Sequence, residues 1–380
     1  MQRPEIIVED LLEWYKEHRR VLPWREDPTP YHVWLSEIML QQTRVEAVKA
    51  YYARFLETLP SIEALADATE ETILKLWEGL GYYNRVRNMQ AAARTIVSEM
   101  QGEFPDTYHK IITLKGIGEY TAGAIASIAF QEAVPAVDGN VLRVYSRLTG
   151  SEADIGEVAT KRYITEEIRA ILPIDRPGQF NQALMDLGAM VCIPNGAPRC
   201  KECPWQAYCI SHLENRTDSI PVKQTKTKRR KENKTVFLLF AEGKVAITKR
   251  EAKGLLAGMW QFPMADSTLS LEESRNMADA LVCIPDEALD KQLSDNKGDS
   301  NENENENVNI KLSAGAKAKH IFSHIEWQMS ARVITLERIP ENTTFMNQKI
   351  IWVSKEELQQ DYAMPSAFAV YREKVLEKLK

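Results

Sequence analysis

The apolar spacing of this chain changes once, and the change falls across a short basic run. Before it, residues 31–43, 45–57, 84–100, 119–129, 138–148, 157–171 and 179–190 space their apolar side chains by three and four, the helical period. Proline, glycine or Asx punctuation parts most of these stretches, as at Pro60, Gly79-Leu80-Gly81, Pro105-Asp106 and Pro173. After it, Val236 to Phe240, Glu242-Gly243 and Lys244 to Thr248 read as strand, tight turn and strand. Residues 319–336 alternate like a second strand pair, and residues 365–379 have the spacing of a closing helix. The run between the two patterns, Lys223 to Lys234, holds seven positive side chains and one acid. It reads either as a solvated linker or as a linker laid on phosphates, and either way it is a boundary. Residues 294–309, with their N-E-N-E-N-E-N core, are too polar to pack and are expected to form a disordered insertion. The expected architecture is multidomain: an all-α domain over residues 1–215, a basic linker over 216–234, and a smaller α+β domain over 235–380.

Four cysteines crowd into the end of the helical region: Cys192, Cys200, Cys203 and Cys209, spaced C-x7-C-x2-C-x5-C. The only other cysteine is Cys283. Thiolates this close, with Pro and Gly bending the chain between them, are set to share a metal or a cluster. Their order fits neither zinc-finger nor zinc-ribbon spacing. Disulfides are the rival reading, but Glu5, Glu9, Asp10, Glu13 and Glu17 make residues 1–20 an amphipathic helix rather than a signal peptide. A cytoplasmic location is expected and, with no run of eighteen apolar residues, no membrane span. The 380 residues, 44% of them hydrophobic, suffice for two or three cores. A net charge of −6 argues mildly against binding nucleic acid, though an average hides local patches.

Leu114-Lys115-Gly116-Ile117-Gly118-Glu119-Tyr120-Thr121-Ala122 sets two glycines one apolar residue apart between two helical patterns. The backbone N–H groups of such a turn, with the start of the next helix, suit a phosphate oxygen, although many helical hairpins use glycine merely to turn. Further on, Val137-Asp138-Gly139-Asn140-Val141 has the composition of a turn or helix cap. Upstream, the run from Trp34 to Thr43 places Glu37 in one helical stripe with Val33, Trp34, Leu40 and Gln41. An acid in that stripe is partly desolvated and can hold a proton near neutrality, unless it lies on the stripe's wet edge. Two carboxylates in unlike environments serve a reaction that needs both a proton donor and an anionic stabiliser.

The glycine hairpin, the V-D-G-N-V aspartate and the trailing four-cysteine loop, in that order, make the chain resemble the helix–hairpin–helix DNA glycosylases that carry a 4Fe–4S cluster. Leu22-Pro23-Trp24-Arg25, Ser36 to Thr43 and Gly79 to Arg85 narrow the resemblance to the MutY-type adenine DNA glycosylases, over residues from about 5 to 215. Phe322-Ser323-His324 extends it into the second domain. The resemblance implies a monomer that acts on double-stranded DNA and initiates base excision repair. Its substrate would be adenine mispaired with 8-oxoguanine or guanine, flipped out of the stack. Glu37 matches the general acid that protonates the adenine ring. Asp138 matches the carboxylate that stabilises the oxocarbenium-like sugar, a division of labour shared with sugar hydrolases. Tyr120 and Asn140 match residues beside that aspartate, and Gln42 and Tyr82 match residues that wedge into the duplex. Arg25, Gly116 and Gly118 are further expected DNA contacts. Cys192, Cys200, Cys203 and Cys209 match the cluster ligands, the first gap being one residue longer than the family's usual six. The cluster's implied task is to clamp a loop bearing Arg199 and Lys201 against DNA phosphates.

Tyr120 stands where endonuclease III-type enzymes carry a lysine that forms a Schiff base and cleaves the strand. Tyrosine cannot form one, so a monofunctional glycosylase is expected. The alternatives are an endonuclease III-type glycosylase/AP lyase and a non-catalytic DNA-binding iron–sulfur protein. Lys115 stands where the wider superfamily has proline, and reads as a phosphate contact or a tolerated variant. Gly258-Met259-Trp260-Gln261-Phe262-Pro263 resembles a stretch of Nudix domains. Ser267 to Asp290 contains Glu272, Glu273 and Arg275 but not the R-E-x-x-E-E order that holds magnesium, so nucleotide hydrolysis is not expected. What the resemblance implies instead is a Nudix-like domain that recognises 8-oxoguanine through Phe322, Ser323 and His324. On alternation alone, Phe322 and His324 would be strand packing.

Overall fold

The computed structural model describes residues 4–224, 229–282, 310–341 and 343–379. Cys283 and the insertion expected at 294–309 lie outside the described residues. The chain divides into two compact units. One takes the residues up to Leu76 and from Asn84 to Lys226; the other takes Trp77–Tyr83 and the residues from Thr227, so the division falls within the basic run.

The first unit is helical, as its spacing requires. It opens with α1 (Pro4–His18), α2 (Pro23–Glu26), α3 (Pro30–Leu40), α4 (Val45–Thr58), α5 (Ile62–Asp67) and α6 (Glu70–Leu76). Then come α7 (Asn84–Glu99), α8 (Tyr108–Ile111), α9 (Glu119–Ala129), α10 (Gly139–Thr149), α11 (Val158–Ile171), α12 (Pro177–Asp186) and the short α13 (Ile210–Leu213). Local chemistry sets the starts. Thr29 caps α3 by accepting from the His32 N–H at 3.3 Å, with Pro30 in the first turn. Asp138 caps α10 by accepting from the Val141 N–H at 2.8 Å, and Gly150, left-handed at φ 67°, ends that helix. Helices α1, α10 and α12 share a core built on Leu11, Val141, Tyr145, Phe180 and Leu184. Trp205 enters the same core and donates its indole N–H to the Ile7 carbonyl at 2.9 Å, which fastens the cysteine loop to α1.

Two expected helices differ in form. The helix expected over 31–43 stops at Leu40, and Glu37 does not lie in a stripe: every residue from Val33 to Met39 is buried, since α4 and α9 both pack on α3. The helix expected over 179–190 starts at Pro177 and, after Asp186, widens into a π-helical turn, Leu187–Val191.

The second unit is a mixed sheet between helices. Its strands are β1 (Arg230–Ala241), β2 (Lys244–Lys249), β3 (Trp260–Gln261), β4 (Met264–Ala265), β5 (Lys311–Ile321), β6 (Ile325–Thr335), β7 (Thr344–Phe345) and β8 (Gln348–Val353). Helix α14 (Leu271–Val282) precedes β5, and α15 (Lys355–Gln360) and α16 (Ala369–Lys378) follow β8. The order is β5-β6-β1-β2-β8-β7, with β3 beside β2 and β4 beside β1. Among the described residues only β1 and β6 run parallel, from Arg230 opposite Ile325 to Phe240 opposite Thr335. Alternate residues of β1 serve opposite faces. Val236, Leu238 and Phe240 pack with Tyr371 and Val375 of α16, while Phe237, Leu239 and Ala241 pack with Ala278 and Leu281 of α14. Burial on both faces is why this strand reads as an unbroken apolar run. The Glu242-Gly243 turn is left-handed at both residues, φ 48° and 73°, as a two-residue hairpin demands.

The basic linker ends sooner than the expected 234. Residues Arg230 to Lys234 are already strand, paired with Ile325 to Met329. Lys234 is buried there, 2.9 Å from Glu232 and 2.8 Å from Asp266. Among the described residues, no helix is long and apolar enough to cross a membrane.

Candidate active site

Helix α3, the start of α9 and the start of α10 meet around a cavity of about 720 Å3 in the first unit. Glu37, Tyr120, Asp138 and Asn140 all line it, together with Arg25, Gln42 and Gly118. Glu37 is 7% exposed, and its Oε2 accepts a hydrogen bond from the Tyr120 hydroxyl at 2.7 Å. Burial pushes its carboxyl up from 4.5 to about 7; the Tyr120 bond works against the shift and the charge of Asp138 adds to it. Burial also holds the Tyr120 phenol well above its ordinary range, so it stays a neutral donor.

Asp138 is held differently. Its Oδ1 accepts from the Val141 N–H at 2.8 Å and its Oδ2 from Asn140 Nδ2 at 2.6 Å. Burial raises its pKa, while the bonds from Val141 and Asn140 and the charge of Arg143 oppose the rise. The positive end of α10 favours the anion further. Asn140 is itself fixed: its Oδ1 accepts from Arg143 Nη2 at 2.9 Å, and Arg143 Nε donates to the Cys192 carbonyl at 2.8 Å. A hydrogen-bonded chain thus runs from the cysteine loop to Asp138.

Arg25, expected at the DNA, lines the cavity with its guanidinium already taken. Its Nη1 and Nη2 donate to Asp186 at 2.7 and 2.9 Å, and its side chain is only 13% exposed. Arg20 Nε and Nη2 reach the same carboxylate at 2.8 and 2.6 Å. Burial raises the pKa of Asp186, but Arg25 and Arg20 bring it below its ordinary value, so the buried acid is an anion between two cations. Arg25 is part of the wall rather than a free phosphate ligand.

Cys192, Cys200, Cys203 and Cys209 line a second, smaller cavity with Arg147 and His212, and all four are free thiols. Burial pushes the Cys203 thiol up to about 12 and raises those of Cys200 and Cys209. Among the described residues no group of His, Cys, Asp and Glu side chains is placed to hold a single metal ion; the thiols ring a space instead. Arg199 and Lys201 are exposed on this loop, Arg199 lying 4.0 Å from Glu202. Gly116 is left-handed at φ 82°, and a Cβ there would stand 2.6 Å from that of Asn88. Lys115 beside it is exposed. Gln42, exposed just beyond α3, is left-handed at φ 59°, a strained conformation for a residue with a side chain.

Tyr82, Phe322, Ser323 and His324 belong to the second unit. Tyr82 is 50% exposed and also left-handed, at φ 48°. The Phe322 ring packs edge-on against Trp327 at 4.8 Å and His320 at 4.6 Å, while Ser323 and His324 are exposed in the turn between β5 and β6. Phe322 is therefore an anchor, and the two residues after it are the ones presented.

Sequence reasoning missed Asp186, Arg20, Arg143 and Arg147. A signal was there for the last two: V-L-R-V-Y-S-R-L sets arginines four apart in a helix that is otherwise apolar on that side.

The fold and the site together define a two-part DNA repair protein. A model of the HhH-GPD superfamily base excision DNA repair proteins matches residues 35–170, and a NUDIX domain model matches residues 235–374. A solved thermostable thymine-DNA glycosylase superposes with a TM-score of 0.52 at 26% identity, over 56% of this chain and 98% of its own. The adenine DNA glycosylase of Rattus norvegicus is 32% identical over 96% of this chain and 77% of that protein. That of Buchnera aphidicola subsp. Baizongia pistaciae is 37% identical over 68% of this chain and 73% of its own length. That of Arabidopsis thaliana is 39% identical over 67% of this chain, which spans only 46% of that longer protein.

The chain belongs to the adenine DNA glycosylase family. It is an enzyme of base excision repair, a hydrolase of N-glycosyl bonds whose partner is DNA. Proteins of this fold family commonly carry a 4Fe–4S cluster.

Proposed function

We propose that the chain flips adenine mispaired with 8-oxoguanine or guanine out of duplex DNA and hydrolyses its N-glycosidic bond, with Glu37 as general acid and Asp138 as stabiliser of the sugar cation. One observation carries the reading: two carboxylates of unlike surroundings line one cavity. Glu37, buried and held by a single hydroxyl, keeps its proton near neutrality and gives it to a ring nitrogen, so adenine leaves neutral. As the bond to C1′ breaks, positive charge grows on the sugar. Asp138, with a donor on each oxygen and a helix start beneath it, supplies the opposing charge. Water then adds to C1′ and its proton returns to Glu37. Tyr120 orients Glu37 and, having no amine, forms no Schiff base, so the enzyme is monofunctional. Efficient borohydride trapping of a covalent lysine–DNA adduct would count against that.

The exposed hairpin at Gly116 and Gly118, with Arg199 and Lys201, meets phosphates; Gln42 and Tyr82 enter the duplex; Ser323 and His324 meet the base opposite adenine. Cys192, Cys200, Cys203 and Cys209 hold the 4Fe–4S cluster. Free thiols ringing a space suit a cluster, whose metal atoms are spread apart, better than one ion. When bound, the cluster cross-links the loop that carries Arg199 and Lys201.

The test is single-turnover cleavage of an adenine:8-oxoguanine duplex by the native chain and by Asp138→Asn. Native activity with a crippled variant supports the reading. Equal rates would remove Asp138 from the mechanism, and no native activity would overturn the proposal.

A further inference from the structure

Arg147, on the face of α10 that meets the cysteine loop, is 5% exposed. Its bonds go to neutral or sulfur partners. Nε donates to the Ile220 carbonyl at 2.8 Å, and Nη1 donates to the Ile193 carbonyl at 2.9 Å and reaches Cys192 Sγ at 3.4 Å. Its own carbonyl accepts from Cys209 Sγ at 3.3 Å. Among the described residues no carboxylate pairs with it. Contrast Arg25 and Arg20, less withdrawn from water at 13% and 25% side-chain exposure and both closed on Asp186. A guanidinium buried without a counter-ion is costly, and carbonyl dipoles offset only part of that cost.

The groups around Arg147 that can become anionic are the four thiols of the same cavity. As thiolates on a cluster they form a net anion, and the guanidinium lies against one of its sulfurs. Arg143, one turn earlier, also feels the Cys192 side chain, which favours its cationic form, but its donors are directed to the Cys192 carbonyl, Asn140 and Gly188. Arg147 is the arginine with a donor 3.4 Å from that sulfur.

We propose that Arg147 is the built-in counter-charge of the cysteine cavity, a positioning residue whose buried cation favours the cluster-loaded state of the loop and sets the cluster's reduction potential. The inference rests on the cluster reading above. Its rival is a purely mechanical role, in which Arg147 ties the Ile193 and Ile220 carbonyls together.

Charge and tie are separable with two variants of the full chain. Arg147→Lys keeps the charge; Arg147→Gln keeps an amide donor for the carbonyls and loses the charge. Iron and acid-labile sulfide per chain give cluster loading, and voltammetry on a DNA-modified electrode gives the midpoint potential. Arg147→Lys should load and reduce like the native protein. Arg147→Gln should hold less iron, and its remaining cluster should be harder to reduce, because losing a nearby cation disfavours the added electron. The expected change in the oxidised-to-reduced ratio is about tenfold or more, or roughly 59 mV for one electron. Native loading and potential in Arg147→Gln would overturn the proposal, as would equal shifts in both variants. If Arg147→Gln fails to accumulate while Arg147→Lys behaves as native, charge is again what matters. If neither accumulates, the mechanical role stands instead. A native protein without iron and sulfide would sink the cluster reading itself.

Discussion

Glu37 holds its proton because it is buried, and that burial also weighs on the fold. Its carboxyl titrates at about 7 in the native chain against 4.5 ordinarily. Below 4.5 both native and unfolded states are protonated; between 4.5 and about 7 only the unfolded state ionises, so stability falls as pH rises. Above that window the whole penalty stands, roughly 3 kcal/mol at about 1.36 kcal/mol per unit. Glu37→Gln keeps an acceptor for Tyr120 and should therefore raise the melting temperature more at about pH 8 than at about pH 5. The same variant should lose roughly 100- to 10,000-fold in single-turnover rate. A variant no more stable at the higher pH would mean that the carboxyl is not desolvated as described. In the native enzyme the rate should decline as pH rises through about 7, because the general acid proposed here, Glu37, works in its protonated form. Asp138 allows a cleaner separation. Asparagine keeps the capping oxygen for the Val141 N–H but loses the acceptor for Asn140 Nδ2, so Asp138→Asn should cost at most about 1 kcal/mol while the rate falls roughly 100- to 1000-fold. Asp138→Ala should add a stability loss of about 1 kcal/mol from the missing cap, and thermal melts of the two variants compare the effects directly.

Elements whose signal is local were legible from sequence. A cap such as Asp138 or a turn such as Glu242-Gly243 is decided within four residues, and both are where the spacing put them. Helix α3 misled because a helix buried on all sides has no stripe to read. The Arg25–Asp186 pair was out of reach because its partners are 161 residues apart, and no local spacing encodes it. The π-helical turn after Asp186 was also missed: L-G-A-M-V has the composition of an ordinary helix, and what distinguishes it is tertiary. It brings Gly188 so near α10 that a Cβ there would stand 2.7 Å from that of Asn140. Gly188→Ala should therefore push Asn140 aside and, through it, Asp138. The expected result is a rate loss of about 100-fold from misplacement, with affinity for an uncleavable duplex unchanged. Native rates in this variant would show that Asn140 is not held by the contact.

At the scale of the whole molecule, an acidic chain acts on a polyanion because charge is used locally and each unit closes its own core. In the second unit, α14 carries Glu272 and Glu273 but not the glutamate order that magnesium-dependent nucleotide chemistry needs. The contribution to substrate choice proposed for this unit falls on one turn, where packing and presentation lie on adjacent residues. Phe322 is locked against Trp327 and His320, and the Phe322 N–H donates to the Ile325 carbonyl at 2.8 Å, closing the turn. Ser323 and His324 follow it, exposed; the Ser323 hydroxyl shares a hydrogen bond with the Tyr82 hydroxyl at 3.0 Å, and His324 offers its ring nitrogens to a base edge. Ser323→Ala with His324→Ala removes those atoms, one surface hydrogen bond to Tyr82 and no core contact, so the melt should move little. Cleavage opposite 8-oxoguanine should fall about tenfold, the scale of one hydrogen bond left unmade, while cleavage opposite guanine changes little. Phe322→Ala should behave otherwise, because it opens a gap beside Trp327 and lowers stability along with both activities. Single-turnover rates on the two duplexes, measured beside thermal melts, distinguish these outcomes. An equal loss on both duplexes from the Ser323 and His324 pair, at unchanged stability, would move discrimination between opposing bases away from this turn.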